Sequence, residues 1–392
     1  DYVAAWYYKA AKYMAGTNIR AAFVSTNSIT QGEQAAAVWK PLFDMFGIHI
    51  DFGCRTFKWS NEAKGKAAVH CVIVGFSTAK RYGERVIYDG EEKTAAKNIT
   101  PYLIDAPTVF VESRTNALCD VPVMVYGNKP TDGGHLFIES DEYDGFIAKE
   151  PLAARFIKKI YGAEEYINGK DRYCLWLVNA EPAELKKMPL VMERIEKVRQ
   201  FRLASPKKQT RDSAATPTLF QEARQPNSEY IIVPRVSSER RRYIPIGFAS
   251  PDIIASDSVQ IIPGAALYHF GILTSNVHMA WARAVCGRLK SDYRYSKDIV
   301  YNNFPWPDAP GAQHEEIAAL AQGVLDSRAS HASSSLADLY DPLAMPRDLL
   351  KAHQNLDRAV MKLYSFPVGK TTEAVCVAAL MERHQAMAGA EK

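Results

Sequence analysis

Residues 275–307, with the sequence SNVHMAWARAVCGRLKSDYRYSKDIVYNNFPWP, join a helical pattern to a charged extended pattern. Thr274, Ser275 and Asn276 can each supply an N-cap oxygen, and apolar residues then recur at helical spacing. Gly287 stands where a left-handed residue commonly ends a helix. The segment therefore predicts a short capped helix that ends at Gly287 and is followed by an extended strand.

The strand predicted after Gly287 carries a charge on every second residue. The charged positions are three cations and one anion: Arg288, Lys290, Asp292 and Arg294. Side chains on one face of a strand stand roughly 6–7 Å apart, close to two base-pair steps, and these groups match the donors and acceptors of base edges. Double-stranded DNA is therefore a candidate partner. The alternative is a charged strand face that contacts only solvent.

The length and composition predict a globular protein of two or three domains. The chain has 392 residues, of which 47% are hydrophobic and 11% are aromatic, and this length exceeds one ordinary core. The net charge of +4 is mild, so a nucleic-acid surface requires local clustering of cations. The cysteines are dispersed without a CxxC pair and no leader pattern is present, which favours a cytoplasmic protein. The sequence has no long apolar run, so it predicts no membrane span.

Basic residues cluster in three places. The clusters are residues 199–211, then Arg235 with Arg240, Arg241 and Arg242, and finally residues 283–297. Cations on adjoining loops can neutralise several DNA phosphates whatever the base sequence. Each cluster alone is typical of a solvated surface, so a DNA interface requires that the clusters meet in the fold.

The patterns predict an α/β fold with three successive units. Residues 1–100 alternate helices (6–14 and 27–47, the second ended by Pro41 and Gly47) with strands (19–25, 48–54 and 67–76), and close with a polar hairpin or linker at 77–98. Residues 101–310 mix strands (122–126, 136–138, 174–178, 230–234, 243–246, 259–262 and 267–273) with helices (151–160 and 188–201). Residues 311–392 show helical patterns at 315–329, 347–364 and 372–387.

A loop predicted at residues 55–66, RTFKWSNEAKGK, combines basic and aromatic side chains. Loops at the strand ends of an α/β sheet commonly hold ligands. Phe57 and Trp59 can stack on an unpaired base while the cations face phosphates. The alternative is that both aromatic side chains only anchor the loop by packing.

Common catalytic and metal-binding motifs do not occur in the sequence. It contains no GxSxG, GxGxxG, GxxxxGK[ST] or HExxH motif and no His/Cys group with zinc spacing. His269 and His278 are more typical of core histidines than of metal ligands. The residues alone therefore predict neither a catalytic centre nor a metal site.

Four segments resemble the MmeI-like (type IIL) DNA N6-adenine methyltransferases of restriction-modification systems. They are FVSTNSITQGEQ, RTFKWSNEAKGKAAVHCVIVGF, YIPIGFASPDIIASDS and HFGILTSNVHMAWARAVCGRLKSDYRYSKDIVYNNFPWP. The resemblance extends over nearly the whole chain. It implies the C-terminal half of a Rossmann-like methyltransferase sheet at 1–100, a mixed α+β target-recognition domain at 101–310 and a helical C-terminal domain at 311–392.

The resemblance also implies which parts of the parent enzyme lie elsewhere. In that family a DPACGSG-type loop binds S-adenosylmethionine and an Asn-Pro-Pro-aromatic motif holds the adenine amino group, and neither occurs in these 392 residues. Residues 1–7 are similar to the helix after the catalytic motif, so we expect a missing N-terminal methyltransferase region, with or without an endonuclease domain. The chain alone is then expected neither to bind the cofactor tightly nor to methylate DNA. The alternatives are a stand-alone DNA specificity subunit and an unrelated binding scaffold.

Carried over by position, the resemblance assigns DNA contacts to named residues. Phe57 or Trp59 would stack on the flipped adenine, with residues 25–29 at the edge of its pocket. The base-recognising side chains would be Lys290, Asp292, Arg294 and Ser258, and the backbone contacts Arg235, Arg240, Arg241, Arg242 and Arg288. Since Lys290 can donate to guanine and Asp292 can accept from the cytosine amino group, we predict a G·C pair at the position they recognise.

Overall fold

The first part of the chain forms a five-stranded sheet packed against two helices. The computed structural model describes residues 2–59, 69–79 and 84–390. The elements of this part are α1 (Ala4–Met14), β1 (Arg20–Thr26), α2 (Gly32–Phe46), β2 (His49–Trp59), β3 (Val69–Ser77), β4 (Arg85–Asp89) and β5 (Glu92–Ala96). The strands lie in the order β1-β3-β2-β4-β5, with β2 and β4 parallel and the other neighbours antiparallel. The predicted alternation of helices and strands is confirmed.

Aromatic side chains join the two helices to this first sheet. The ring centre of Tyr7 on α1 lies 5.2 Å from the ring centre of Trp39 on α2 and 5.4 Å from the ring centre of Phe76 on β3. Gly47 ends α2 in the left-handed conformation, as predicted. The prediction that Pro41 helps to end this helix is wrong: α2 continues past it to Phe46, because burial of Leu42 and partial burial of Phe43 and Phe46 offset one lost backbone hydrogen bond.

Two predicted connections of this part contain strands. β2 extends to Trp59, so residues 55–59 of the predicted loop are strand, and residues 60–66 lie outside the described residues. The polar stretch at 77–98 contains the β4–β5 hairpin, which confirms the hairpin alternative and adds two strands to the edge of the sheet.

Residues beyond 100 build three smaller sheets. Their strands are β6 (Val125–Tyr126), β7 (Phe137–Glu139), β8 (Ile157–Tyr161), β9 (Arg172–Leu175), β10 (Tyr230–Pro234), β11 (Val236–Ser237), β12 (Gly247–Ala249), β13 (Ile254–Ala255), β14 (Val259–Pro263), β15 (Gly287–Leu289) and β16 (Asp292–Arg294). The strand orders are β12-β10-β14-β6, β13-β8-β9-β7 and β11-β16-β15. The helices are α3 (Tyr143–Lys149), α4 (Ala163–Asn168), α5 (Pro182–Leu185), α6 (Pro189–Leu203), α7 (Lys208–Asp212), α8 (Leu267–Leu273) and α9 (Asn276–Val285). The predicted mixture of α and β is confirmed.

Three predicted elements of this part are wrong. Residues 267–273, predicted as a strand, form α8, because a short apolar run does not distinguish a strand from a buried helix. Residues 243–246, also predicted as a strand, are irregular and precede β12. The helix predicted at 151–160 is a 3-10 helix, Pro151–Phe156, that leads into β8.

The C-terminal helices share a hydrophobic core with α8 and α9. They are α10 (Gly311–Ala329), α11 (Leu336–Leu339), α12 (Arg347–Leu363) and α13 (Glu373–Ala390). The Ser275 hydroxyl caps α9 by accepting the N–H of His278 at 3.3 Å, which confirms the predicted N-cap. α9 contacts α8, α12 and α13. The helix that leads into the β15–β16 hairpin is therefore held firmly by its neighbours.

Candidate nucleic-acid interface

The charged segment after α9 is a two-stranded hairpin. Arg288 pairs with Tyr293 and Leu289 with Asp292, so Lys290 and Ser291 form the turn. Lys290 has a φ of 60°, a left-handed conformation found in tight hairpin turns. The prediction of one continuous strand is wrong, because alternating charge fits the two arms of a short hairpin as well as it fits a single strand.

Gly287 does not cap the helix, and its backbone lies close to Gly32 at the start of α2. α9 ends at Val285, and Cys286 already has an extended backbone, so the predicted left-handed cap at Gly287 is wrong. A Cβ atom added to Gly32, the first residue of α2, would lie 3.2 Å from the Cα of Gly287. The hairpin therefore begins in backbone contact with a helix of the first sheet.

The turn places Arg288 on the opposite face of the hairpin from Asp292 and Arg294. Cross-strand partners share a face, so Arg288 lies with Tyr293. Its guanidinium stacks 4.1 Å from the centre of the Tyr293 ring and donates to two main-chain carbonyls. The predicted row of four charges on one face is wrong, and the Arg288 side chain is engaged within the protein.

Lys290 and Asp292 retain free polar groups at the turn. Lys290 is exposed and forms no ion pair or hydrogen bond through its side chain with the residues that the structure describes. Asp292 is half-buried, and its Oδ1 accepts a hydrogen bond from the main-chain N–H of Glu239 at 3.3 Å. Within the described ranges its Oδ2 accepts none. One ammonium donor and one carboxylate oxygen are thus available to a ligand.

A cleft of about 410 Å³, the hairpin cleft, lies between the hairpin and the first sheet. Asn27, Ser28 and the start of α2 line one side, and Arg235 and Arg294 line the other. The Arg235 guanidinium lies 4.8 Å from the centre of the Tyr126 ring and donates to a main-chain carbonyl at 2.8 Å. Arg294 is exposed. Cations from two of the predicted clusters therefore meet at this cleft.

A second cavity of about 440 Å³ is lined by Arg240, Arg241 and Arg242. Arg283 of α9 also lines it and forms an ion pair with a carboxylate of α13 at 2.8 Å. Burial lowers the pKa of the Arg241 guanidinium, whereas the other two consecutive arginines are exposed. The second predicted cluster is therefore divided, with Arg235 at the hairpin cleft and the three consecutive arginines at this cavity.

Two side chains from the predicted DNA surface form hydrogen bonds within the protein. Arg202, in the first basic cluster, is fully buried and donates to five main-chain carbonyls. Ser258 is exposed, yet its hydroxyl accepts the N–H of Ala163 at the start of α4 at 3.0 Å and bonds to Ser256 at 2.8 Å. Arg202 is thus removed from the candidate surface, and base contact by Ser258 stays a prediction.

Phe57 and Trp59 lie on the same face near the end of β2. Their ring centres are 6.4 Å apart with planes tilted by 47°, and Trp59 is 49% exposed. Phe57 is half-buried, and an exposed ring such as that of Trp59 can stack on an unpaired base. Among the described residues, neither side chain lines the hairpin cleft. Their role in holding a base stays a prediction.

Residues 25–29 divide between the cleft and the core. Asn27 and Ser28 line the hairpin cleft, and Asn27 Nδ2 donates to the Thr56 hydroxyl on β2 at 3.4 Å. Ser25 bonds to a tyrosine of α1, and Ile29 is fully buried. Only the middle of this segment is therefore placed to contact a ligand in the cleft.

Comparisons with known proteins match this architecture. Three family models match successive parts of the chain. The MmeI DNA-methyltransferase domain matches residues 1–89, the MmeI target recognition domain matches residues 105–308, and the MmeI C-terminal domain matches residues 309–390. The chain belongs to the MmeI family. The predicted family and the predicted fold class, a methyltransferase part followed by a recognition part and C-terminal helices, are confirmed.

Two MmeI-family relatives define the extent of the match. DNA methyltransferase A of Bacillus subtilis (strain 168) is 44% identical over 364 residues, which are 93% of this chain and 41% of that protein. The type IIL restriction-modification enzyme MmeI, solved in complex with DNA, is 47% identical to this chain with a TM-score of 0.93. The match covers 99% of this chain and 52% of the MmeI chain. The chain therefore spans about half the length of these relatives.

Two residues that support the candidate interface of this MmeI-family chain carry no signal in the sequence. Glu239 holds Asp292 through its main-chain N–H, and no side-chain pattern reveals such a contact. Tyr126 supports Arg235 from a strand of two residues that is distant in sequence. Both become visible only when the sheet pairing is known.

The described part of this MmeI-family chain contains neither a candidate membrane span nor a candidate metal site. No helix there is long and apolar enough to cross a membrane. No group of three or more His, Cys, Asp or Glu side chains there could hold a metal ion. His278 is fully buried with its Nε2 2.8 Å from the Tyr295 hydroxyl, which confirms it as a core histidine.

Proposed function

We propose that this chain is the sequence-specific DNA-recognition part of a site-specific DNA adenine-N6 methyltransferase. The observation that carries the proposal is the hairpin turn, where Lys290 and Asp292 present a free ammonium and a free carboxylate oxygen. The solved relative bound to DNA and the match to the family's target recognition domain support it. The family's DPACGSG-type cofactor loop and its Asn-Pro-Pro-aromatic motif for adenine do not occur in these 392 residues. We therefore assign DNA recognition to this chain.

The donor and acceptor at the turn fit one G·C base pair. In the major groove guanine presents two acceptors, O6 and N7, and cytosine presents an amino donor. The Lys290 ammonium can donate to guanine, and Asp292 Oδ2 can accept from the cytosine amino group. Two charged contacts to one pair discriminate against other pairs by about 1–3 kcal/mol.

The exposed arginines supply affinity that does not depend on base sequence. Arg294 beside the hairpin and Arg240 and Arg242 at the second cavity are exposed, and Arg235 lines the hairpin cleft. Cations that neutralise phosphates release counterions, so affinity falls as salt rises. These side chains position the protein on the duplex while the turn recognises bases.

The target adenine would leave the duplex and stack on Phe57 or Trp59. A base inside the stack cannot be modified at its amino group, so it must be flipped out and held by an aromatic face. S-adenosylmethionine supplies the methyl group in the family, but the residues present here do not fit it, because the family's binding loop is not among them. No step through the cofactor is assigned to this chain.

Selection from a randomised duplex library, followed by band shifts, tests the proposal. We expect one defined sequence to be enriched and its affinity to fall steeply as salt rises from roughly 50 to 200 mM. Absence of binding at low salt, or binding without any enriched sequence, would contradict DNA recognition. Methyl transfer from S-adenosylmethionine by the chain alone would contradict the restriction of its role to recognition.

A further inference from the structure

The carboxylate of Asp292 is held by the main chain of a neighbouring loop. The N–H of Glu239 donates to Asp292 Oδ1 at 3.3 Å, and the carbonyl of Glu239 accepts the hydroxyl proton of Tyr293, also at 3.3 Å. One residue therefore contacts two consecutive residues of β16 through its two main-chain polar groups. These contacts fix one carboxylate oxygen and leave the other available to a base.

The side chain of Tyr293 is itself fixed. It is 4% exposed, and the Arg288 guanidinium stacks 4.1 Å from its ring centre. The same guanidinium donates to the carbonyl of Ser291 in the turn at 3.3 Å and to that of Arg283 on α9 at 3.2 Å. Tyr293 thus links the hairpin turn, helix α9 and the loop that contains Glu239.

We infer that Tyr293 is a positioning residue for base recognition, an inference that rests on the proposed function. Its hydroxyl holds Glu239, and Glu239 holds the Asp292 carboxylate in the orientation that faces one base. Tyr293 does not itself touch DNA in this arrangement, because its buried ring lies on the opposite face of the hairpin from Asp292.

A held carboxylate discriminates better than a mobile one for two reasons. It loses less side-chain entropy when it binds the matching base. It also cannot rotate freely to meet the donor of a mismatched base, so the wrong pair leaves a polar group unpaired. Tyr293 therefore increases the preference for one base pair more than it increases affinity for DNA in general.

The Tyr293→Phe variant tests the inference, because it keeps the buried ring and removes only the hydroxyl. We expect the preference for the base pair at one position to fall by about three- to tenfold, in line with one lost hydrogen bond. Affinity for non-specific duplex and preference at the other positions should stay unchanged, and the melting temperature should fall by about a few degrees at most, because the Glu239 carbonyl loses its donor. Unchanged preference at every position would overturn the inference.

A second variant, Arg288→Gln, separates positioning from phosphate binding. If Arg288 supports Tyr293, preference should fall at the same single position as in Tyr293→Phe. If Arg288 instead binds a phosphate, affinity should fall equally for all sequences and the salt dependence should become shallower. That second result would overturn the positioning role of the Arg288–Tyr293 pair.

Tyr173→Phe is the matched control for the loss of a hydroxyl. Tyr173 lies on β9, and its hydroxyl forms no hydrogen bond within the described ranges. Its variant should behave as the wild type in every assay. If the wild type shows no base preference at any position, the proposed function itself fails. If the wild type shows a preference that Tyr293→Phe fully retains, only the positioning inference fails.

Discussion

Lys290 adopts a backbone conformation that favours glycine, with φ at 60°. A left-handed conformation costs a residue with a Cβ on the order of 1–2 kcal/mol, and glycine would form the same turn without that cost. Lysine at this position places a long donor side chain at the tip of the hairpin. Backbone strain of this kind concentrates at binding sites, so it supports a functional role for Lys290.

The Lys290→Gly variant separates stability from recognition. Removing the strained Cβ should raise the free energy of unfolding by about 1 kcal/mol, measured by urea denaturation. The same change should abolish preference at the position that Lys290 contacts, measured by library selection. A variant that is less stable than the wild type, or that keeps the preference, would contradict this account.

Asp357 is a buried carboxyl group that joins the C-terminal helices to the rest of the protein. It is 4% exposed, accepts the hydroxyl proton of Tyr243 at 2.6 Å and accepts the N–H of Asn276 at the start of α9 at 2.8 Å. Burial raises the pKa of Asp357 from its ordinary 3.8 to about 6 despite these hydrogen bonds. The charged form is therefore disfavoured in the folded protein.

Asp357 should make the folded protein less stable as pH rises. Because its pKa is raised on folding, its stabilising contribution is fully present below about pH 4 and is lost as pH rises through about 6. The full loss is about 3 kcal/mol, from a shift of about two pKa units. Asp357→Asn can keep both hydrogen bonds without a charge. It should match the wild type near pH 4 and be more stable at pH 7.5.

Urea denaturation of both proteins across this range measures the difference. The comparison isolates Asp357 from other groups that titrate in the same window. An equal difference in the free energy of unfolding at pH 4 and pH 7.5 would show that the buried carboxyl does not titrate as described.

At the scale of elements, the contact between α2 and β15 determines how closely the hairpin lies to the first sheet. Gly32 has a φ of +53°, and a Cβ there would meet the Cα and N of Gly287 at 3.2 and 3.3 Å. Both of these atoms belong to the backbone, so no side chain can move aside. A substitution at Gly32 must therefore shift one element against the other.

Gly32→Ala should destabilise the protein by about 1–3 kcal/mol, since it combines a strained φ with a close contact. Gly16→Ala is the control, because Gly16 also has a positive φ, +74°, but a Cβ there meets no atom within 4 Å. The excess destabilisation of Gly32→Ala over Gly16→Ala measures the contact between the elements. Equal losses for the two variants in urea denaturation would mean that the close approach has no cost.

Sequence rules for helix ends correctly predict features that depend on a single helical turn. The N-cap at Ser275 and the left-handed Gly47 follow from backbone hydrogen bonding within one turn, and both are present. Residues 267–273 form α8 although their pattern predicts a strand, because their length and apolar character fit both and only packing decides. The sequence does not predict the turn at Lys290, since a lysine there follows no turn rule and takes a conformation that favours glycine.

At the scale of the whole molecule, the fold separates cations that are neighbours in sequence. Arg202 becomes a buried structural residue, Arg288 stacks on a tyrosine, and Arg235 and Arg294 meet at the hairpin cleft. Clustering in the sequence therefore does not reveal the roles of individual side chains. The charge pattern at 288–294 indicates a candidate DNA-binding segment, but the hydrogen bond from Glu239 and the faces of the hairpin depend on long-range pairing and cannot be predicted from it.

The shared core explains how a turn of two residues can hold a fixed orientation. α9 leads directly into β15, and its buried side chains belong to the same core as those of α8, α10, α12 and α13. β16 pairs with both β15 and β11, so the second arm of the hairpin is bound on both sides. The hairpin turn is therefore supported by this shared core and by the pairing of β16 on both sides.

The double variant Lys290→Glu with Asp292→Arg tests the central claim most directly, by library selection against the wild type and Arg240→Ala. Reversing donor and acceptor should replace the preferred G·C pair at one position with a different pair and leave the other positions unchanged. The affinity for the new pair should exceed that for G·C by about 5- to 150-fold. Arg240→Ala should weaken binding to all sequences alike. An unchanged preferred sequence in the double variant would contradict base recognition by Lys290 and Asp292.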